Sequence, residues 1–385
     1  MSLLFEGVIV TRDRAGRSCA FRHYEQIRQQ RQNGSMNDPG NDSLHDAPGG
    51  SGGGGRHGTG PSSRVLHLQG VFPRDWAGER VDKALARLFP QYSRAAFQGW
   101  IRSGQVRVEG IVPRRRDKVR GGEAVEVRAA LAVETPWRAQ DLPLEIVYED
   151  ESVLVVNKPP GVVVHPGAGN REGTLLNALL HHDPGLAALP RAGIVHRLDK
   201  DTSGLLVVAR SLAACHRLAA QIRRRCFQRE YLAVVCGVMT GGGTVEAPIG
   251  RHPVQRTRMA VREGGRAAVS HYRVLERFRA HTLIRVTLET GRTHQIRVHM
   301  AHLRHPLVGD PVYGGRLRLP PACAPALATA LRAFRRQALH AARLCIAHPD
   351  SGEALCWEVT PPSEMADLLA ALRDDLTVHA KEASR

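Results

Sequence analysis

Nothing in these 385 residues approaches the run of about 20 apolar residues needed to cross a bilayer. Cysteine is sparse. The seven present (Cys19, Cys215, Cys226, Cys236, Cys323, Cys345, Cys356) are odd in number, scattered and never spaced C-x-x-C. That pattern argues against a disulfide framework or a zinc ribbon and predicts reduced thiols in a cytosol. The strings G-x-G-x-x-G and G-x-x-x-x-G-K-[ST] are missing too, so readings built on a nucleotide cofactor lose their main support. Acid is in deficit, with 37 Asp+Glu against 54 Lys+Arg and a net charge of +17. Such an excess favours a polyanionic partner, because Lys and Arg displace the counterions condensed on phosphates. The opening residues MSLLFEGVIVTRDRAGR lack a basic start and a long enough apolar run, so no secretory leader is expected.

What is present divides the chain unevenly. Residues 1–62 read as a disordered tail, since 29–63 are rich in Gly, Ser, Asn, Asp and Pro and include SGGGG at 51–55. Met36 offers an alternative start within it. A basic unit follows over 65–128. ERVDKALARLFP places Val81, Leu85 and Leu88 on one helical face, and Ser93 precedes a second helix with Phe97, Trp100 and Ile101 inward and Gly104 as its stop. QVRVEGIVPRRRDKVRGGEAVEV then alternates like a hairpin, with Val106 and Val108 before Gly110, and carries Arg107, Arg114, Arg115, Arg116, Lys118 and Arg120. Bases gathered on one helix–hairpin unit point to RNA contact. The unit resembles the S4 RNA-binding domain.

A linker (129–143) leads to a larger domain, 144–378, and a short tail, 379–385. Strand-like runs dominate it: VLVVN (153–157), LLVVA (205–209), YLAVV (231–235), LIRVTLE (283–289) and ARLCIAH (342–348). Helical stretches at 173–182, 211–224 and 363–375 interrupt them without the regular alternation of a doubly wound fold. The expectation is an α+β domain on a mixed, largely antiparallel sheet.

The stretch VHRLDKDTSG (195–204) sets two acids two residues apart. Read as a calcium loop from Asp199, it would put Arg210 at the twelfth position, where a bidentate carboxylate is needed. Read as a phosphate-transfer aspartate, it lacks the further acids that would hold magnesium. An acid flanked by bases, working without a metal, remains. HMAHLRH and its surroundings supply His294, His299, His302 and His305, but no nearby Cys or supporting acid completes a zinc site, so these are expected on a helix surface or facing RNA.

The string resembles the signature H-R-L-D-x-x-T-S-G-L of the large-subunit-type (RluA-type) pseudouridine synthases, with His196, Arg197, Leu198, Asp199, Thr202, Ser203, Gly204 and Leu205 all in place. EDESVLVVNKPPGVVVHPG (149–167), REYLAVV, LETGRTHQIRVH (288–299), RQALHA and HPDSGE resemble that family's other segments, and its usual K-x-Y stands here as Arg229-Glu230-Tyr231. The resemblance implies a pseudouridine synthase fold with Asp199, Tyr231 and Arg297 catalytic and Arg197, His196 and Ile296 at the substrate. It implies no cofactor and no metal. Asp199 would attack C1′ or remove the 2′ proton, Arg297 would pair with and orient it, and Tyr231 would pack on the detached uracil and take the C5 proton. Arg197 would fill the space left by the flipped base.

VHPGAGN, TLLNALLHH and HMAHLRHPLVGDPVYGG resemble the family branch acting on large-subunit (23S) ribosomal RNA. That implies clustered uridines in the intersubunit-bridge stem-loop, helix 69, as target. The expected protein is a monomeric isomerase that meets ribosomal RNA or a precursor particle in the cytoplasm, away from membranes. The alternative is a non-catalytic RNA-binding ribosome-assembly factor, disfavoured because Asp199, Tyr231 and Arg297 are all retained.

Overall fold

A computed structural model describes residues 2–5, 8–13, 65–90, 92, 94–130, 137–167, 169–255 and 257–383. Two short strands, β1 (Ser2–Phe5) and β2 (Val8–Asp13), pair antiparallel near the start of the chain.

The basic unit is a three-stranded sheet with two helices. It comprises β3 (Val65–Val71), α1 (Val81–Leu88), α2 (Arg94–Arg102), β4 (Val106–Val108) and β5 (Ala124–Ala130), with β5 central. Val81, Leu85, Phe97 and Ile101 are buried with Phe72, Val106, Val125 and Val127, so the 3.6-residue periodicity does mark the core face. Asp82, fully buried, is held by Arg80, Arg94 and Gln98. The hairpin partner of β4 is β5, fifteen residues on. Ser93, the expected cap of α2, lies outside the described residues.

The larger unit builds from β6 (Ile146–Glu149), β7 (Val153–Lys158), α3 (Leu175–His182), β8 (Ser203–Ala209), α4 (Leu212–Arg223), β9 (Gln228–Cys236), β10 (Gly243–Glu246), β11 (Ile249–Arg251), β12 (Met259–Val261), β13 (Val269–Arg277), β14 (His281–Leu288), α5 (Gln295–His302), α6 (Pro325–Ala333), β15 (Leu339–Ala347), β16 (Ala354–Val359) and α7 (Ser363–Ala383). The sheet runs β1-β2-β16-β15-β9-β14-β13-β10, with β8, β7 and β6 branching from β15. All its pairs are antiparallel except β8 with β15, which confirms the mixed, mostly antiparallel α+β expectation. β7 and β8 are buried nearly throughout, as unbroken apolar runs require of central strands. Thr174 closes a capping box with Asn177 at the start of α3, and Ser211 accepts the Ala214 N–H at α4.

Three expectations are corrected. Residues 8–13, read as part of the disordered tail, form the strand β2 that pairs with β16; the Gly/Ser-rich part lies outside the described residues. Residues from 137 onward, read as linker, dock on α3, where Asn177 donates to the Arg138 carbonyl at 2.7 Å. Cys345 and Cys356, read as free thiols, form a disulfide between directly opposed positions of β15 and β16. Spacing along the chain does not reveal cross-strand register, so this pairing was invisible in the sequence.

Candidate active site

A cleft of about 520 Å³ opens over the β8–β9–β14 side of the larger unit. Asp199, Arg197, His196, Tyr231, Ile296 and Arg297 all line it, so the residues singled out across a hundred positions of sequence converge on one cavity.

The loop bearing Asp199 is fixed from below. Lys158, fully buried at the end of β7, donates to the carbonyls of Pro159, Val162 and Lys200 at 2.8, 3.0 and 2.9 Å. Burial pulls its pKa down to about 7, against the raising pull of Asp201 and Asp199. Downstream, Gln337 donates to Thr202 Oγ1, and the Ser203 hydroxyl pairs with His340 Nδ1 at 3.0 Å. Gly204 then enters β8 at φ +111, where a Cβ would stand 2.3 Å from the Ala341 carbonyl oxygen. Only glycine allows this close parallel crossing with β15, which accounts physically for the T-S-G after the aspartate.

Arg297 on α5 is the hub. Its Nη1 donates to Asp199 Oδ2 at 3.2 Å. Its Nε and Nη2 donate to the two oxygens of Asp310 at 2.7 and 2.9 Å. Asp310 also accepts the N–H groups of Val312 and Tyr313. Burial opposes its charge, but the Arg297 guanidinium and these donors win, and its pKa is lowered. The Tyr313 ring lies 5.1 Å from the guanidinium carbon, while its hydroxyl pairs with His294 Nδ1 and accepts the Met259 N–H. His294, in the left-handed region at φ 57, brings Nε2 to 4.0 Å from Asp199 Oδ2.

Asp310, Tyr313 and His294 were not identified as site residues from sequence, although GDPVY was in view. The usable signal was an acid in a Gly–Asp–Pro turn thirteen residues beyond Arg297.

Tyr231 is buried on β9 between Val286 of β14 and Ala341 of β15. Burial raises its pKa, so the phenol is protonated at neutral pH. The ring presents an apolar platform in the cleft, with its hydroxyl as a polar handle. Arg197 is exposed at the cleft. His196 faces inward: its Nε2 accepts the Val207 N–H at 3.1 Å, and its ring stands edge-on to Phe227. It thereby braces β8, while its Nδ1 has no hydrogen-bond partner among the described residues.

In the histidine run, His302 is exposed on α5 as expected, but two others depart from the expectation. His299 is fully buried, bonded to Ser270 and the Ala247 carbonyl, and His305 Nδ1 bonds the Cys236 carbonyl. Among the described residues no cluster of His, Cys, Asp and Glu is arranged to hold a metal, and no helix is long and apolar enough to span a membrane. In the basic unit Arg107, Arg114, Arg115, Arg116 and Lys118 are all exposed.

Burial holds His196 down to about 3, and His165 and His340 to about 4. These bases are neutral when folded yet protonated when unfolded below about 6.5. The unfolded state then binds more protons, so stability is full above pH 6.5 and falls as pH drops from there toward 4. The expected loss is about 1.4 kcal/mol per pH unit for each such histidine. Melting temperature against pH should therefore fall below 6.5, and His340→Gln should flatten the slope; a flat wild-type profile between pH 6.5 and 4.5 would refute this.

The Asp199–Arg297 pair and the buried Tyr231 thus share one cleft at the branch of the mixed sheet. The RNA pseudouridylate synthase family model matches residues 152–302 and the S4 domain model matches 79–125. The chain belongs to the pseudouridine synthase family.

A ribosomal large subunit pseudouridine synthase D of Pseudomonas aeruginosa is 56% identical over 313 residues, covering 81% of this chain and 98% of that protein. One from Xanthomonas campestris is 55% identical, covering 82% and 96%. Among solved structures, human RNA pseudouridylate synthase domain containing 4 aligns with a TM-score of 0.47 at 26% identity, covering 60% of this chain and 93% of that one.

Proposed function

We propose that this enzyme converts specific uridines of large-subunit ribosomal RNA to pseudouridine, in the intersubunit-bridge stem-loop helix 69. Asp199 acts on the ribose of a flipped-out uridine. The observation that carries the reading is the carboxylate of Asp199, held by Arg297 in the same cleft as buried Tyr231. The large-subunit target is supported by what the similar bacterial proteins are called. The choice of stem-loop rests on the sequence resemblance.

The chemistry is a glycosidic substitution without water. The N1–C1′ bond breaks, the uracil turns over, and C5 bonds to C1′; the proton lost from C5 is matched by one gained at N1. Asp199 either bonds C1′ or removes the 2′ proton to give a glycal. Tyr231 supports the freed base, and Ile296 and Leu288 supply apolar wall to the same cleft. Arg197 takes the place of the flipped base in the RNA stack, offsetting an unstacking cost of about a few kcal/mol.

Tritium release from RNA carrying 5-³H-uridine tests the activity, and pseudouridine mapping in ribosomal RNA from a strain lacking the gene tests the target. Loss of the helix 69 modifications is the expected outcome; their persistence would refute the target.

The S4 unit acts as the docking arm. Changing Arg114, Arg115 and Arg116 together to Ala should weaken binding at low salt. It should also reduce the slope of log K against the logarithm of salt concentration by about 0.7–0.9 for each phosphate no longer neutralised. An unchanged slope would remove these arginines from the interface.

A further inference from the structure

Arg229 is only 8% exposed, yet its Nε has no hydrogen-bond partner and no carboxylate pairs with it among the described residues. Alternation along β9 sets Arg229 and Tyr231 on the same face, roughly 6.8 Å apart, and both line the cleft. The neighbouring acids are already engaged. Asp199 is taken by Arg297, Glu289 by Arg225 and His271, and Glu230 by Arg285 and Arg343. Arg229 Nη1 lies directly beneath exposed Gly291, where a Cβ would come to 2.8 Å. Glycine there leaves the guanidinium reachable from the cleft. Arg223, Arg225 and Arg292 line the same cavity, and the repulsion of Arg266 and Arg225 lowers the pKa of Arg292 after the larger effect of burial.

A buried guanidinium without a counterion is costly to the folded chain. A fold retains one where a ligand supplies the anion. Arg is suited to this because its planar fork matches two phosphate oxygens and it stays charged when desolvated.

We infer that Arg229 is the binding residue for a backbone phosphate flanking the target uridine, fixing the nucleotide while Tyr231 supports its base. This rests on the proposed RNA substrate and names the contact that orients it. Arg225 and Arg292 guide the strand at the cleft mouth, and Arg229 takes the phosphate inside. A cation placed two residues from the base platform meets the nucleotide's own phosphate rather than a distant one. It thereby sets the ribose against Asp199.

The test is a cycle between this residue and the phosphate, using the full chain and a target stem-loop RNA. The RNA carries a neutral methylphosphonate at the 5′ or the 3′ linkage of the target uridine. Arg229→Met should weaken RNA binding about 10- to 100-fold, the effect of removing a charge-assisted hydrogen bond. One of the two methylphosphonates should weaken wild-type binding equally and cost the Arg229→Met variant nothing further. Arg229→Lys should restore part of the affinity. The melting temperature of Arg229→Met should be unchanged or higher, because the substitution removes a buried unpaired charge; a purely structural arginine would lower it.

Additive losses at both linkages, unchanged affinity, or a fall in kcat with affinity intact would each overturn the inference, the last by placing the cation on the detached base. The cycle is read by binding alone. Failure of tritium release by the wild type would therefore count against the isomerase reading and leave the Arg229 result standing separately.

Discussion

Asp199→Asn should abolish isomerisation, lowering turnover by more than about 10⁴-fold, while RNA binding stays within about twofold of wild type. The amide keeps the shape of the carboxylate but can neither bond C1′ productively nor take a 2′ proton. The fold should tolerate the change, because two arms of the Arg297 fork remain on Asp310 and only the 3.2 Å contact from Nη1 is weakened. Asp201 provides the control. It lies two residues away but outside the residues lining the cleft, and its carbonyl accepts from Arg336 Nη1. Asp201→Asn should leave turnover nearly intact. Tritium release with both variants, alongside filter binding of the same transcript, checks the pair. Appreciable turnover by Asp199→Asn would remove it as the reactive group.

Arg297→Met should carry the largest stability cost, about 3–5 kcal/mol, together with loss of activity. Removing the guanidinium strands the buried Asp310 carboxylate, which keeps only the N–H groups of Val312 and Tyr313. For a domain of this size that corresponds to a fall of roughly 10 °C in melting temperature.

The deficit should depend on pH in a definite direction. In the wild type the lowered pKa of Asp310 contributes stability above the unfolded carboxylate value and loses it on acidification. In the variant the stranded acid would bind a proton more readily folded than unfolded, so the gap from wild type should be widest at neutral pH and narrow toward pH 4. Asp310→Asn added to Arg297→Met should recover most of the stability, since an amide oxygen still accepts both N–H groups without a buried charge. It should recover no activity, because Asp199 would remain unheld. Thermal melts of the single and double variants decide this; a double variant no more stable than Arg297→Met would show that the pair does not carry the cost.

The disulfide and the N-terminal pairing share one cause with the site residues that sequence reasoning missed. Local periodicity identified β7, β8, β9, β14 and β15 because each is an apolar run long enough to be buried as a strand. It identified the S4 helices because their apolar faces repeat every three to four residues. It was silent on β10, β11 and β12, which at three or four residues are too short to show a period. It misplaced His299, whose polar ring is satisfied inside the core by Ser270 and a backbone carbonyl.

Which groups could be chemical is legible in the chain through its resemblance to a family signature. A fixed string around Asp199, a tyrosine on an alternating strand and an arginine within GRTHQIRVH are local patterns. Their residue types follow from close backbone packing at Gly204 and from the need to hold a carboxylate. How those groups are held, and which of them lack partners, emerges only once the chain has folded. Pairing of β8 with β15 spans 137 residues, and the Asp199–Arg297 contact spans 98. No local pattern encodes such separations. Whether an arginine such as Arg229 is solvated, paired or left waiting for an anion depends on what those distant segments bring beside it.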